Sequence, residues 1–228
     1  MPVSRMLHGL RIVVTQAEDF MGPALCQVLS SHGATVLADR RELHHPDAPR
    51  ELVQSHGHID VLVANLAMTA PSTLATEVQD AEWSKVFDVM VHPLPRLLRA
   101  VVPQMQSRGR GKLLVMGSAS ALRGMKRSSS YSAARGAQLA WVQAVGVELA
   151  PLNIQVNAIA QNFVENPTYF PAEVQANPRF IERLQREVPL GRLVKAEEDA
   201  EFAAYLCSDK ADCFVGQVFP VCGGWVQR

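Results

Sequence analysis

Short apolar runs alternate with longer stretches of helical spacing along this chain. Arg11 to Thr15, Thr35 to Ala38, Asp60 to Asn65, Lys112 to Met116, Ile154 to Ala160 and Gln217 to Val221 are nearly continuous in Val, Ile, Leu and Ala, as buried strands are. Between them, Pro23 to Ser31 carries Leu25, Val28 and Leu29 on one side, and Glu82 to Ser107 reads as one long helix interrupted by Pro93 and Pro95. From Ser130 about twenty residues rich in Ala, Leu and Val run without proline; further helices are predicted near Arg179 to Arg186 and over Ala196 to Cys207, after an irregular segment from Gln161 to Pro178. Apolar strands joined by helices predict an α/β fold, a doubly wound parallel sheet with helices on both faces. With no repeat, linker or low-complexity tract, residues 1–228 read as a single domain.

Composition narrows the function classes. Lys+Arg and Asp+Glu both number 22, and no basic stripe with interleaved aromatics is present, so nucleic acid is not an expected partner. No apolar run approaches the length of a membrane span, and Met1 to Gly9 lacks the basic start and apolar centre of a signal peptide. The expectation is a soluble, cytoplasmic protein. Cys26, Cys207, Cys213 and Cys222 have no metal-ligand spacing and the seven histidines are scattered, so no metal is expected and the thiols read as reduced.

The candidate chemistry lies between Ser118 and Arg135. Ser118 follows the Lys112 to Met116 run after Gly117, and Tyr131 and Arg135 stand four apart on the helix that follows, on one face. A permanently charged guanidinium beside a phenol favours the phenolate, which makes Tyr131 a candidate general base, with Ser118 offering a hydroxyl to the same substrate oxygen. Each residue alone also fits a plainer role: Tyr and Arg as an exposed helix pair, Ser as a turn residue.

The order of elements, with Leu190-Gly191-Arg192 and Gly216 to Gly224 near the end, resembles the short-chain dehydrogenase/reductase superfamily over nearly the whole chain, which implies a Rossmann-like fold. In that superfamily the first strand-to-helix turn is glycine-rich, so that the backbone can touch the cofactor pyrophosphate. Here the turn is Thr15-Gln16-Ala17-Glu18-Asp19-Phe20-Met21-Gly22, with Gln16 and Phe20 at two glycine positions and only Gly22 remaining. Ala64-Asn65-Leu66-Ala67 stands for the usual Asn-Asn-Ala-Gly, Met90 for the Asn of the proton relay, Arg135 for the Lys, and Gln161-Asn162 for the Pro-Gly along the nicotinamide. The site looks closed to a dinucleotide. Asp39, at the end of the second strand, reads as a solvated loop residue.

The combination is similar to the halohydrin dehalogenases, a branch that uses no nicotinamide. Two motifs carry it: Thr15, four residues, Phe20, one residue, Gly22; and Ser118, twelve residues, Tyr131, three residues, Arg135. The resemblance implies Ser118, Tyr131 and Arg135 as the catalytic triad, and a halide site from Phe20 with Gln161, Asn162, Phe163 and Val164, Tyr169 lying near it. Backbone N–H groups of residues 161 to 164 would hold the halide. Phe20 and Phe163 read alternatively as core. The family often has Pro where Gln161 stands. No cofactor is implied; the partners are a small haloalcohol or epoxide and a halide or other small anion. The helix from Ala133 to Leu149 is apolar or small nearly all round, which with the resemblance predicts a homotetramer, a dimer of dimers. The alternatives are a nicotinamide-dependent short-chain reductase with a degenerate glycine turn, and a non-enzymatic partner or sensor on the same fold.

Overall fold

A computed structural model describes residues 6–227; of the Met1 to Gly9 stretch, residues 1–5 lie outside the described residues, as does Arg228. Six parallel strands form one sheet: β1 (Arg11–Val14), β2 (Thr35–Ala38), β3 (Val61–Ala64), β4 (Gly111–Ser118), β5 (Ile154–Gln161) and β6 (Val218–Val221), in the order β2-β1-β3-β4-β5-β6. From β1 the chain steps outward to β2 and then returns across β1 to β3. The crevice at that reversal, beyond the carboxyl ends of the strands, is where open α/β sheets bind ligands.

Alternation along the strands builds two cores. Ile12, Val14, Val61, Val63, Leu114, Met116 and Ile159 pack with α1 (Gly22–Ser31) and α8 (Ala196–Cys207). Their neighbours Val13, Leu62, Leu113, Val115, Val156 and Ala158 pack on the opposite face with α2 (Ala48–His56), α4 (Pro93–Arg108) and α5 (Ser129–Leu149). A strand whose successive side chains are all buried, one on each face, reads as an unbroken apolar run, which is why these strands stand out in the sequence.

The interruption expected in Glu82 to Ser107 falls at Pro93: α3 (Asp80–Met90) ends before Val91-His92 and α4 restarts at Pro93, a first-turn position where a missing N–H costs no hydrogen bond, whereas Pro95 lies within the first turn of α4 and makes no break. The helix α2 was not anticipated, because its apolar stripe is thin, with only Ala48, Pro49 and Leu52 buried. Asp39 is not solvated. It is 3% exposed, accepts from the Arg41 side chain at 2.8 Å, and lies 3.0 Å from His56 Nε2.

The irregular segment after β5 contains a single-turn helix, α6 (Ala172–Gln175), and leads into α7 (Pro178–Glu187). Among the described residues no helix is long and apolar enough to cross a membrane, and no three His, Cys, Asp or Glu side chains gather as a metal-holding group. The four cysteines are free thiols, Cys207 and Cys222 in the core.

Candidate active site

The two longest strands, β4 and β5, run in register to their last residues, which places Ser118 directly beside Gln161 at the carboxyl edge of the sheet. Ser118 Oγ accepts the backbone N–H of Ser120 at 3.2 Å and shares a 2.9 Å hydrogen bond with the Ser120 hydroxyl. With the Ser120 hydroxyl as donor, the Ser118 proton is free to point into the cavity above the sheet. Ser120 was not singled out in the sequence, since nothing distinguishes a serine two residues past a strand from a turn.

From α5, Tyr131 and Arg135 enter the same space. Both are buried, at 7% and 3% exposure, and the guanidinium carbon lies 5.1 Å from the tyrosine ring centroid. At the start of α5, Ser130 donates to Glu82 of α3 at 2.6 Å, which fixes the helix end that carries Tyr131. Arg135 Nη1 donates to the carbonyls of Leu66 and Met116 and to Gln138 Oε1 at 2.9–3.1 Å, while its Nε has no partner. Gln138 is itself held by the Met90 carbonyl at 2.7 Å. Among the described residues no carboxylate pairs with Arg135. A buried cation neutralised by carbonyl dipoles alone leaves net positive potential beside the Tyr131 ring.

The turn after β1 keeps the backbone of a glycine-rich loop without the glycines. Gln16 and Phe20 have φ of 45° and 51°, in the left-handed region that side chains rarely adopt. Gln16 spends its side-chain amide on Ala67, and Asn65 Nδ2 donates to the Gln16 and Asp19 carbonyls at 3.1 Å. These bonds tie β1 to the end of β3 across the topological crevice. Phe20 reaches the cavity, its ring 5.7 Å from that of Tyr169. At Gly22 an added Cβ would lie 2.3 Å from the Gln16 carbonyl oxygen, so this glycine is required by close packing of α1 on the turn.

Ser118, Tyr131, Arg135, Phe20, Gln161, Asn162, Phe163, Val164 and Tyr169 all line one cavity of about 360 Å³. Phe170, Phe180 and Arg183 line it as well; the Arg183 guanidinium lies 5.5 Å from the Phe163 ring centroid. Phe163, at φ 52°, is a third strained position on this site. Tyr169 donates to the Met68 carbonyl at 2.9 Å and accepts from the Ala70 N–H at 3.0 Å. Burial, and after it the neighbouring Tyr131 phenol, pushes the Tyr169 phenol above its ordinary range, so Tyr169 stays protonated.

Of the 161 to 164 backbone N–H groups expected at the anion, two are committed: that of Asn162 to the Val221 carbonyl at 3.1 Å and that of Phe163 to Asn162 Oδ1 at 2.9 Å. Among the described residues the Val164 N–H makes no hydrogen bond, and Asn162 Nδ2 is buried without a partner.

Comparison with known proteins places this architecture. A family model described as enoyl-(acyl carrier protein) reductase matches residues 7–226, and the chain belongs to that family, within the short-chain dehydrogenase/reductase superfamily. A ketoacyl reductase ascribed to the monensin polyketide synthase of Streptomyces virginiae is 33% identical over 181 residues, covering 75% of this chain and 69% of that protein. A solved structure described as a dehalogenation enzyme is 32% identical with a TM-score of 0.89, covering 97% of this chain and 100% of the other. The L-sorbose reductase of Gluconobacter frateurii, solved with NADPH and L-sorbose, shares the fold at a TM-score of 0.90 and 22% identity, covering 99% of this chain and 100% of the other.

Proposed function

We propose that the protein converts vicinal haloalcohols to epoxides, releasing halide and a proton without a nicotinamide cofactor, and in reverse opens epoxides with small anions such as azide, cyanide or nitrite. The observation that carries this reading is the pairing, in one cavity, of an intact Tyr131–Arg135 arrangement with Phe20 where the turn would need glycine. A dinucleotide does not fit these residues. Its pyrophosphate needs the backbone of the first turn, and that approach is taken by the Gln16 and Phe20 side chains, while the exposed Asp19 adds negative charge in the same turn and Glu18 is paired with Arg40.

The residues present supply each step. Tyr131 takes the hydroxyl proton of the haloalcohol, while Ser118, positioned by Ser120, donates a hydrogen bond to the same oxygen. Arg135 holds a buried positive charge beside the Tyr131 ring, with no carboxylate among the described residues to compensate it. The oxygen attacks the neighbouring carbon from behind, the carbon–halogen bond breaks with its electron pair, and halide departs into the end of the cavity lined by Phe20, Gln161, Asn162, Phe163, Val164 and Tyr169. There the unpartnered Asn162 amide offers a hydrogen bond and the aromatic edges a poorly hydrated, weakly positive wall.

The test is halide release from a vicinal bromoalcohol with no cofactor added. A second reading, nicotinamide-dependent reduction, is favoured by the ketoacyl reductase relative. Oxidation of NADPH with a ketone substrate, together with no halide release, would replace the first reading by the second.

A further inference from the structure

Behind the halide wall lies a carboxyl group that the reaction above does not use. Asp199, in the first turn of α8, is 0% exposed. Its Oδ2 accepts from Gln161 Nε2 at 2.5 Å, and its Oδ1 is buried with no partner. Gln161 in turn lines the cavity beside Ser118 and Asn162. One side chain therefore separates a core carboxyl from the place where an anion departs.

The groups around Asp199 leave it electrostatically alone. On its own helix Glu198 is clamped by Arg192, Glu201 contacts His32, and Glu197 is exposed. The preceding Lys195 is exposed, and Glu165 acts on Arg192. From the other packed elements, α1 brings Cys26, β4 brings Lys112 at the Cys207 end of α8, the short 3-10 turn Asp209–Ala211 brings exposed Asp209 and Lys210 at that same end, and β5 brings no titratable group. Burial dominates and lifts this carboxyl to about 7, against a smaller opposing effect of the Gln161 hydrogen bond. No charged side chain contributes.

We propose that Asp199 is a positioning residue for the anion end of the cavity, coupling the binding of one halide or azide, through the Gln161 amide, to the uptake of one proton. This rests on the dehalogenase reading and adds to it a rule for retention and release. Two effects act with the same sign. An ionised Asp199 places negative charge one side chain behind the anion, whereas protonation of its unpartnered Oδ1 removes that charge. An ionised carboxylate also accepts only, so it must hold the Gln161 NH2 and leave the amide carbonyl as the other end. A protonated Asp199 can donate to that carbonyl instead, and the amide turns so that its NH2 serves the anion. Anion retention, and with it epoxide opening, belongs to the protonated state; halide release belongs to the ionised state.

The test is calorimetric titration of the full chain with bromide and with azide from pH ~5.5 to ~8.5, a window around the raised carboxyl. Wild-type affinity should fall towards about tenfold per pH unit above the transition, with one proton taken up per anion, as determined in buffers of different ionisation heat. Asp199→Asn should flatten the profile, because it fixes a neutral group in the same shape. Gln161→Met should reduce its slope, because it severs the amide link and leaves only the through-space charge of Asp199. Tyr131→Phe should keep the slope, which assigns the proton to Asp199 and not to the phenol. A flat wild-type profile, a slope that survives both Asp199→Asn and Gln161→Met, or a slope lost in Tyr131→Phe overturns the proposal. Cofactor-free halide release with a flat binding profile sinks this inference alone, whereas absence of both halide release and bromide binding sinks the dehalogenase reading beneath it.

Discussion

Gln16 closes its side-chain amide on the backbone of a single residue: Nε2 donates to the Ala67 carbonyl at 3.0 Å and Oε1 accepts the Ala67 N–H at 2.7 Å. A side chain that satisfies both a donor and an acceptor at the end of β3 makes the β1–β3 crevice part of the framework. Opening it for a pyrophosphate would break both bonds, at about 0.5–1.5 kcal/mol each. NADH and NADPH should therefore show no calorimetric binding. Binding at micromolar concentration would reopen the reductase reading.

Gly22 is held by backbone, not by flexible side chains. A Cβ there meets the Gln16 oxygen at 2.3 Å and the Ala17 carbonyl carbon at 2.5 Å. Gly22→Ala should lower stability by about 1–3 kcal/mol in denaturant unfolding, the usual range for overpacking that cannot relax locally. A loss under half a kilocalorie would mean that the turn yields, and that its left-handed Gln16 and Phe20 are less constrained than their dihedrals imply.

Assembly is a separate proposal. Val147 on α5 is 70% exposed and Trp83 on α3 is 44% exposed and stacked on Phe87, two large apolar side chains on helices that pack on each other. We expect second copies to cover these two exposed side chains on α3 and α5, giving a dimer and then a dimer of dimers. Light scattering should return about four chain masses, and Val147→Glu should lower that number. A monomeric mass for the wild type at micromolar concentration rules it out.

Asp199 also makes stability depend on pH in a predictable direction. Burial raises its carboxyl from 3.8 to about 7, so the folded protein keeps a proton that the unfolded chain has already released between those values. The sign follows from linkage: the stability contributed by this group is complete below the unfolded value and is lost as pH rises through the folded one. Asp199→Asn does not titrate. Its melting temperature relative to wild type should climb from pH ~4 to ~7 and then level off. A difference that is constant with pH would show that Asp199 is ionised in the fold throughout.

What the sequence shows and what it hides follow from range. Strands such as Val61–Ala64 are legible because every residue is buried, and Ala196 to Cys207 has the helix limits expected of it. That Ser118, Tyr131 and Arg135 share one cavity is legible because their spacing lies within one strand-to-helix unit. The thin stripe of α2 falls below what periodicity resolves, and the burial of Asp39 depends on His56, seventeen residues away on another element. The Gln161–Asp199 contact spans 38 residues and two elements, and no local pattern encodes it. The commitment of the Asn162 and Phe163 N–H groups was hidden for the same reason, since one of their acceptors is on β6.

The division of labour between Ser118, Tyr131 and Arg135 is separable by rate profiles. Tyr131→Phe removes the acceptor for the substrate proton, and the general-base share of catalysis, about 10² to 10⁴-fold, should vanish at every pH. Arg135→Ala removes the buried charge 5.1 Å from the ring centroid and leaves Gln138 with a lost partner. Its rate should fall, because the base loses the buried charge beside it. Arg135→Lys keeps the charge but not the planar guanidinium whose Nη1 reaches the Leu66 and Met116 carbonyls, so the rate should drop by less than in Arg135→Ala. Ser118→Ala leaves the base intact and unorients the substrate oxygen, a loss without displacement of the profile. Ser120→Ala acts one step further out: Ser118 keeps the backbone N–H of residue 120 but loses the hydroxyl, so the loss should be smaller than for Ser118→Ala and of the same shape. The readout is bromide release from a vicinal bromoalcohol from pH ~6 to ~10, wide enough to cover the ordinary phenol range. Near wild-type turnover in Tyr131→Phe would reduce Tyr131 and Arg135 to an ordinary buried helix pair, and the mechanism would fail with them.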